Sequence, residues 1–236
     1  MLNARAAARP RPRSEAESPF WISFADLMTA LMMLFLVVMA VALLAVTRTA
    51  GEQERRQEEH RRDIERVLDR FAEAAARHQG IRIDRSRQVI DFGDRARFAF
   101  GKSTLAPEQE SVLRQFVPEI IALANEGIGR RVLKRIVVEG YTDPAGSYLS
   151  NLNLSLQRSQ RVLCAMFNDG AANRLTLDQK QNVRDLFLVG GYAFNAARDS
   201  DEASRRVEMR LEFLGIGEQR AAASMAPANF GECALR

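Results

Sequence analysis

Hydrophobic positions divide this chain into three regimes. From Trp21 to Val46 almost every side chain is apolar. At ~1.5 Å per helical residue that run is long enough to cross a hydrocarbon core of ~30 Å. Behind it, residues 52–78 are dense in Glu, Arg and Gln, with Ile64, Leu68, Phe71 and Ala75 at steps of four, three and four. Such spacing predicts a charged helix with a narrow apolar seam, suited to pairing with a copy of itself, to lying against a neighbour, or to serving as a solvated spacer.

From Gly80 the period changes. Residues 81–84 and 88–92 alternate apolar with polar across Arg85-Ser86-Arg87 and read as a hairpin, with Phe98-Ala99-Phe100-Gly101 closing the segment. Pro107 opens a helix whose buried face is Val112, Leu113, Phe116, Ile120, Ile121 and Leu123, with Pro118 as a kink. Residues 135–139 make a short buried strand running into the turn Gly140-Tyr141-Thr142-Asp143-Pro144-Ala145-Gly146. A helix over 151–168 follows, its Leu156, Ser159, Val162, Leu163, Met166 and Phe167 set towards the core. A short helix over 175–184 and strands over 186–192 and 206–213 complete the pattern. Helices alternating with strands over about 130 residues predict an α/β (α+β) class, a sheet covered on one face by helices. The expected division is a tail over 1–19, a membrane helix over 20–46, a charged helical linker over 47–79, a folded domain over 80–214 and a tail over 215–236.

Composition narrows the functional classes. The 236 residues suffice for one membrane helix and one domain. The net charge of +4 comes from arginines spread among acids, without the clustered stripe that nucleic acid requires. Four arginines, Arg5, Arg9, Arg11 and Arg13, precede the span, which places the N-terminus in the cytoplasm and all after Val46 outside. The apolar run is nearly twice the length of a cleaved signal's and holds an acid, so an uncleaved anchor is expected. Cys164 and Cys233 show no C-x-x-C spacing; they form either one bridge in an oxidising compartment or two unpaired thiols. His60 and His78 lie eighteen residues apart, in no metal-binding pattern. No G-x-S-x-G, phosphate-binding loop or Cys/His constellation is present, so neither catalysis nor a cofactor is expected.

The acid in the apolar run is Asp26. An ionised carboxylate in hydrocarbon costs roughly 2.5 kcal/mol or more, so it faces a partner, a water path or a proton. Snorkelling to the headgroups is the alternative. Ser23, Asp26, Thr29, Ala30 and Met33 share one stripe of a helix, where small and polar neighbours let another helix pack. The run Pro19-Phe20-Trp21-Ile22-Ser23-Phe24-Ala25-Asp26-Leu27-Met28-Thr29 resembles the start of the ion-conducting helix of MotB-type stator subunits. That resemblance makes Asp26 the proton carrier, with Ser23 and Thr29 lining the path. It also implies a second copy of the chain and a larger multispanning MotA-like partner, because one helix cannot enclose a path.

The order Phe98-x-x-Gly101, Gly140-Tyr141-Thr142-Asp143, Asn151-x-x-Leu154-Ser155-x-x-Arg158 and Arg205-Arg206-Val207-Glu208 resembles the OmpA-like peptidoglycan-binding domain. By that resemblance Asp143 and Arg158 grip the diaminopimelate of the stem peptide, with Thr142 and Arg206 as further candidates. The chemistry suits the ligand: a guanidinium fork holds a carboxylate in a bidentate way and a carboxylate takes the ammonium. Asn151, near a helix start, adds amide hydrogen bonds. Gly101 and Ser204 depart from the family's pattern at its edges, which weakens contacts from those ends, Arg205 or Arg206 included.

Together these resemblances imply a cell-wall-anchored subunit of a proton-driven motor in the bacterial inner membrane, with its domain in the periplasm. Within that architecture the short tail, the entry into the span and the short segment before the outer domain resemble the ZorB subunits of Zorya anti-phage systems, which pair with ZorA. A flagellar MotB stator and a passive wall anchor are the competing readings.

Overall fold

The computed structural model describes residues 18–222 and 229–233, so the arginine-rich tail lies outside the described residues. Two compact units are present, Met1–Arg55 and Arg56–Arg236, and the first helix, α1 (Ser18–Ala76), contributes to both. Within the first unit, the described side chains from Trp21 to Val46 are all exposed, and the helix is long and apolar enough to cross a membrane. The threonine hydroxyls along it return to their own backbone: Thr29 Oγ1 donates to Asp26 O at 2.8 Å and Thr47 Oγ1 to Leu44 O at 3.0 Å. Such bonds satisfy the threonine hydroxyls without a solvent partner.

The second unit is built on a five-stranded mixed sheet of β1 (Arg82–Asp84), β2 (Val89–Asp91), β3 (Leu133–Gly140), β4 (Phe187–Gly191) and β5 (Val207–Phe213), in the order β1-β2-β5-β3-β4. Only β3 and β4 run parallel. The crossover between those two carries α4 (Tyr148–Phe167) and α5 (Leu177–Leu186), as a parallel pair requires a long return. Period-two alternation then sorts the side chains. Ile90, Ile136, Val138, Val207, Met209 and Leu211 enter the core, while Glu139, Glu208 and Arg210 take the other face.

Helices cover the inner face, α2 (Pro107–Asn125) among them. Pro107 occupies its first turn, and Gln109 Oε1 accepts from Ala106 N at 2.8 Å. Leu113, Phe116, Val117, Ile120 and Ile121 are buried along it, and Pro118 sits inside an unbroken helix. The α5 start is fixed by a reciprocal Thr176–Gln179 cap. Two short helices, α3 (Gly127–Val132) and α6 (Asp201–Ser204), have no apolar periodicity to announce them.

One open alternative is decided and two expectations meet a different outcome. The seam of Ile64, Leu68, Phe71 and Ala75 is neither solvated nor open to a copy, because Leu68, Phe71 and Ala75 are buried in this unit's own core and Ile64 packs against it. Leu156 does not join the α4 core face; it is 43% exposed, while Ser159, Val162 and Met166 are buried as expected and Ser155 is buried in its place. The segment past Gly215 remains attached: Arg220 donates to Leu133 O, Ala124 O and Gly129 O at 2.9, 2.9 and 3.1 Å. Further on, Cys164 and Cys233 are joined in a disulfide with Cα atoms 5.5 Å apart, and Phe230 stacks on Phe167 at 4.8 Å.

Candidate functional site

One site is assembled where β3 ends, β5 begins and α4 starts. Gly140 is what permits it, since a Cβ there would come within 1.9 Å of Ser155 O. Only a residue without a side chain lets α4 approach the strand this closely. Gly191 serves the same purpose on β4, where a Cβ would lie 2.8 Å from Leu156 N. The turn after Gly140 therefore delivers Thr142 and Asp143 beside the first half of α4.

Asp143 is nearly buried and is held from two directions. Its Oδ1 accepts from Ala145 N at 3.2 Å, and its Oδ2 accepts from Arg205 Nη1 at 3.2 Å. Arg205 in turn donates through Nε to Phe98 O at 3.2 Å. Thr142 donates its backbone N–H to Ala193 O, but its Oγ1 is buried with no hydrogen-bond partner. A buried hydroxyl left unmatched is costly, and such groups cluster at functional sites.

Arg158 is fully buried. Its Nε donates to Lys102 O at 2.9 Å, Nη1 to Tyr141 O at 2.6 Å and Nη2 to Ala99 O at 3.3 Å. Its guanidinium carbon also lies 5.0 Å from the centre of the Phe98 ring. These bonds occupy three of the five N–H donors of a guanidinium and tie the 98–102 loop to the end of β3. Burial pushes this group down to about 10; the Asp143 charge opposes the shift and Arg205 adds to it. The side chain is thus still a cation at neutral pH, held in a place that penalises its charge.

Asn151 faces inward and closes the turn, its Nδ2 donating to Ala145 O at 2.8 Å and to Ser147 O at 3.2 Å. Ser147 caps α4 by accepting from Ser150 N. Arg206 is placed elsewhere: it lies 4.3 Å over the Tyr141 ring and donates to Glu208 Oε1 at 2.7 Å and to Ala196 O. Its neighbour Arg205 is the one that reaches Asp143. A signal for this existed, since adjacent residues entering a strand point to opposite faces, and Val207 and Met209 mark which face is core.

On the sheet's outer face a separate set of charges is fully matched. Glu208 is buried and takes hydrogen bonds from Arg87 at 3.1 and 3.2 Å, from Arg206 at 2.7 Å, and from Arg198. Burial pushes its carboxyl up, and the Arg206 and Arg87 bonds more than offset this, leaving it below the ordinary value. Glu139 accepts from Arg210 at 2.6 and 3.0 Å and from the Tyr141 hydroxyl at 2.7 Å. Among the described residues no group of His, Cys, Asp and Glu is arranged to hold a metal.

Comparison with known proteins places these units. The chain is 42% identical over 216 residues to the Zorya protein ZorB of Escherichia coli O139:H28 (strain E24377A / ETEC), an alignment covering 90% of this chain and 87% of that one. The chain belongs to the ZorB family. Residues 97–185 match the OmpA family, and residues 5–49 match the family described as membrane MotB of the proton-channel complex MotA/MotB. Among solved structures, the periplasmic domain of Helicobacter pylori MotB is 18% identical, with a TM-score of 0.41 over 59% of this chain and 83% of that one. The OmpA-like domain of FopA1 from Francisella tularensis subsp. tularensis SCHU S4 is 21% identical, with a TM-score of 0.36 over 54% and 75%. As a ZorB-family chain it joins an OmpA-like domain to a MotB-like apolar helix, the plan of a stator-like anchor in a membrane complex. In that plan Asp26 lies inside the MotB-like match, and Thr142, Asp143, Asn151 and Arg158 inside the OmpA match.

Proposed function

We propose that this chain is the wall-anchored subunit of a proton-driven inner-membrane motor in Zorya anti-phage defence. The observation that carries the reading is its likeness to ZorB along nearly the whole chain, with a carboxylate at Asp26 inside the MotB-like helix. The N-terminus is cytoplasmic and the second unit periplasmic. Asp26 accepts a proton from the outer side, loses its charge and releases the proton inward, lined by Ser23 and Thr29. A charge crossing the field yields ~2.3 kcal/mol per 100 mV. Since one helix cannot enclose such a path, a second copy and a multispanning ZorA-like (MotA-like) subunit complete it.

The periplasmic site holds the assembly to peptidoglycan. Diaminopimelate presents a carboxylate and an ammonium on one short side chain. Asp143 takes the ammonium, the two N–H groups of Arg158 not given to backbone carbonyls take the carboxylate, and the orphan Thr142 hydroxyl gains a partner on binding. Keeping a guanidinium charged where burial disfavours it is a stability cost that a ligand carboxylate repays. Asn151 and Arg205 position the turn and the Asp143 carboxylate, and Arg206 acts through Tyr141 and Glu208.

Co-sedimentation of the purified protein with isolated peptidoglycan sacculi tests the wall site. Asp143→Ala is expected to weaken binding at least about tenfold, in line with loss of a charge-assisted contact. Undiminished binding by a folded Asp143→Ala protein overturns the assignment.

A further inference from the structure

Two stretches of this chain carry no charge: residues 144–157, which lead from the Asp143 turn into α4, and residues 186–197, which run along β4 into the turn behind it. They meet at an aromatic pair. Tyr148 on the first turn of α4 and Phe194 pack edge to face with ring centres 5.7 Å apart, and Asn195 Nδ2 donates to the Tyr148 hydroxyl at 3.4 Å. An edge-to-face contact covers only one of the four ring faces, and Tyr148 remains 45% exposed.

A strained residue fixes this aromatic turn. Ala193 is fully buried with φ 49°, a conformation that a side chain disfavours. Its N–H donates to Ser155 Oγ at 3.0 Å, and its carbonyl accepts from Thr142 N at 2.9 Å. One residue therefore ties the turn both to α4 and to the Thr142–Asp143 segment. From the other side, Tyr148 and Asn151 stand three apart on one face of α4, and Asn151 Nδ2 donates to Ala145 O in the Asp143 turn. The aromatic pair and the charged site are thus neighbours.

We propose that Tyr148, Phe194 and Asn195 form a carbohydrate subsite, which takes an N-acetylated sugar of the glycan strand while Asp143 and Arg158 hold the stem peptide. The inference rests on the wall-binding reading and extends it from the peptide to the sugar that carries it. Chemistry selects this occupant. A pyranose ring presents C–H groups that pack on an aromatic face, and its hydroxyl and acetamido groups match an amide and a phenol. A surface without charge suits an uncharged sugar, whereas the stem peptide carries the carboxylates and ammonium that the charged site takes. Reach agrees as well. Diaminopimelate is the third residue of the stem, and three extended residues span ~10 Å, ample for sites separated by about one helical turn and a loop.

The experiment titrates the purified full-length chain, its disulfide intact, with two probes by calorimetry: a disaccharide-tripeptide muropeptide containing diaminopimelate, and the same tripeptide without sugar. The wild type is expected to bind the muropeptide about fivefold or more tighter than the bare peptide, as one aromatic contact supplies. Tyr148→Ala should bring that ratio close to one with the bare peptide's affinity unchanged, and Tyr148→Phe should keep most of it. Phe194→Leu, which removes the supporting ring and keeps an apolar side chain, should lower the ratio by a route that does not depend on Tyr148→Ala folding. Asp143→Ala should weaken both probes together. A wild-type ratio of one, a ratio that both Tyr148→Ala and Phe194→Leu leave intact, or an equal loss on both probes in folded Tyr148→Ala overturns the sugar subsite. Undiminished affinities in Asp143→Ala, with the sugar advantage still removed by Tyr148→Ala, overturn the charged site and leave the subsite standing. Binding of neither probe by the wild type overturns both.

Discussion

Carboxylates in the two units of this molecule are treated in opposite ways. Asp26 sits on an exposed apolar helix with small and polar neighbours in its stripe and no cation nearby in sequence. In the folded unit, Glu139 and Glu208 are fully buried, yet Glu139 is gripped by Arg210 and the Tyr141 hydroxyl and Glu208 by Arg87, Arg198 and Arg206. Placement inside an apolar environment therefore does not by itself mark a working acid. What separates them is the partner: a paired carboxylate is held charged and fixes structure, whereas an unpaired one in hydrocarbon has a reason to exchange its charge. Asp143 lies between these extremes, tied to Arg205 on one oxygen and close to an orphan hydroxyl.

The sharpest break in this comparison is substitution of each acid by its amide. Asp26→Asn keeps the size and removes the titratable group. Complete loss of anti-phage protection is expected, with sacculus binding unchanged, and plaque assays with parallel sedimentation check both halves. Next in size is Glu208→Gln, which leaves Arg87, Arg198 and Arg206 around a neutral group. Breaking a buried pair of this kind costs about 3–5 kcal/mol, so thermal unfolding of the periplasmic unit is expected to drop by ~10 °C or more. Removal of the disulfide by Cys164→Ser should cost about 2–4 kcal/mol in denaturant unfolding, with Asp143 chemistry untouched.

The smallest effect expected is the pH dependence. Asp91, Glu119 and Glu208 all lie below the ordinary carboxylate value; for each, burial pushes up and hydrogen bonds and charges from Gly93 and Arg198, from Arg77 and His78, or from Arg206 and Arg87 pull further down. Groups depressed in the folded state contribute stability that is complete above their unfolded values and is lost as pH falls through the folded ones. Thermal unfolding should therefore be flat from about pH 8 to 5 and fall below about pH 4, with the Glu208→Gln protein showing a shallower decline.

Much of this arrangement was legible because apolar period and turn chemistry act locally. The span at 21–46, the hairpin around Arg85, the Pro107 helix start and the Gly140 turn each follow from a few adjacent residues, and the structure has a helix, a paired hairpin, a helix start and an irregular turn after β3 at these places. The family resemblance and the local motif together pointed to Asp143, Asn151 and Arg158, which converge at one end of β3. The family motif alone does not single out Arg205 over Arg206 as the partner of Asp143, although alternation from Val207 encodes it. Nor could spacing show that Arg158 would bind three backbone carbonyls, because Lys102, Ala99 and Tyr141 reach it only through the tertiary fold. The same limit applied to the seam of Ile64, Leu68, Phe71 and Ala75, whose pattern suits a second copy as well as the core it enters. The pairing of Cys164 with Cys233, 69 residues apart, lies beyond local spacing for that reason too.

Proton flux through the reconstituted complex tests the account most directly. Proteoliposomes carrying this chain with its multispanning partner, energised by an inward-directed proton gradient and examined in the activated state, should acidify their lumen with the wild-type chain and stay at the protein-free baseline with Asp26→Asn. Equal flux from both chains, or no flux from the wild type under any activating condition, would contradict a carboxylate that carries the proton and leave the molecule as a tether.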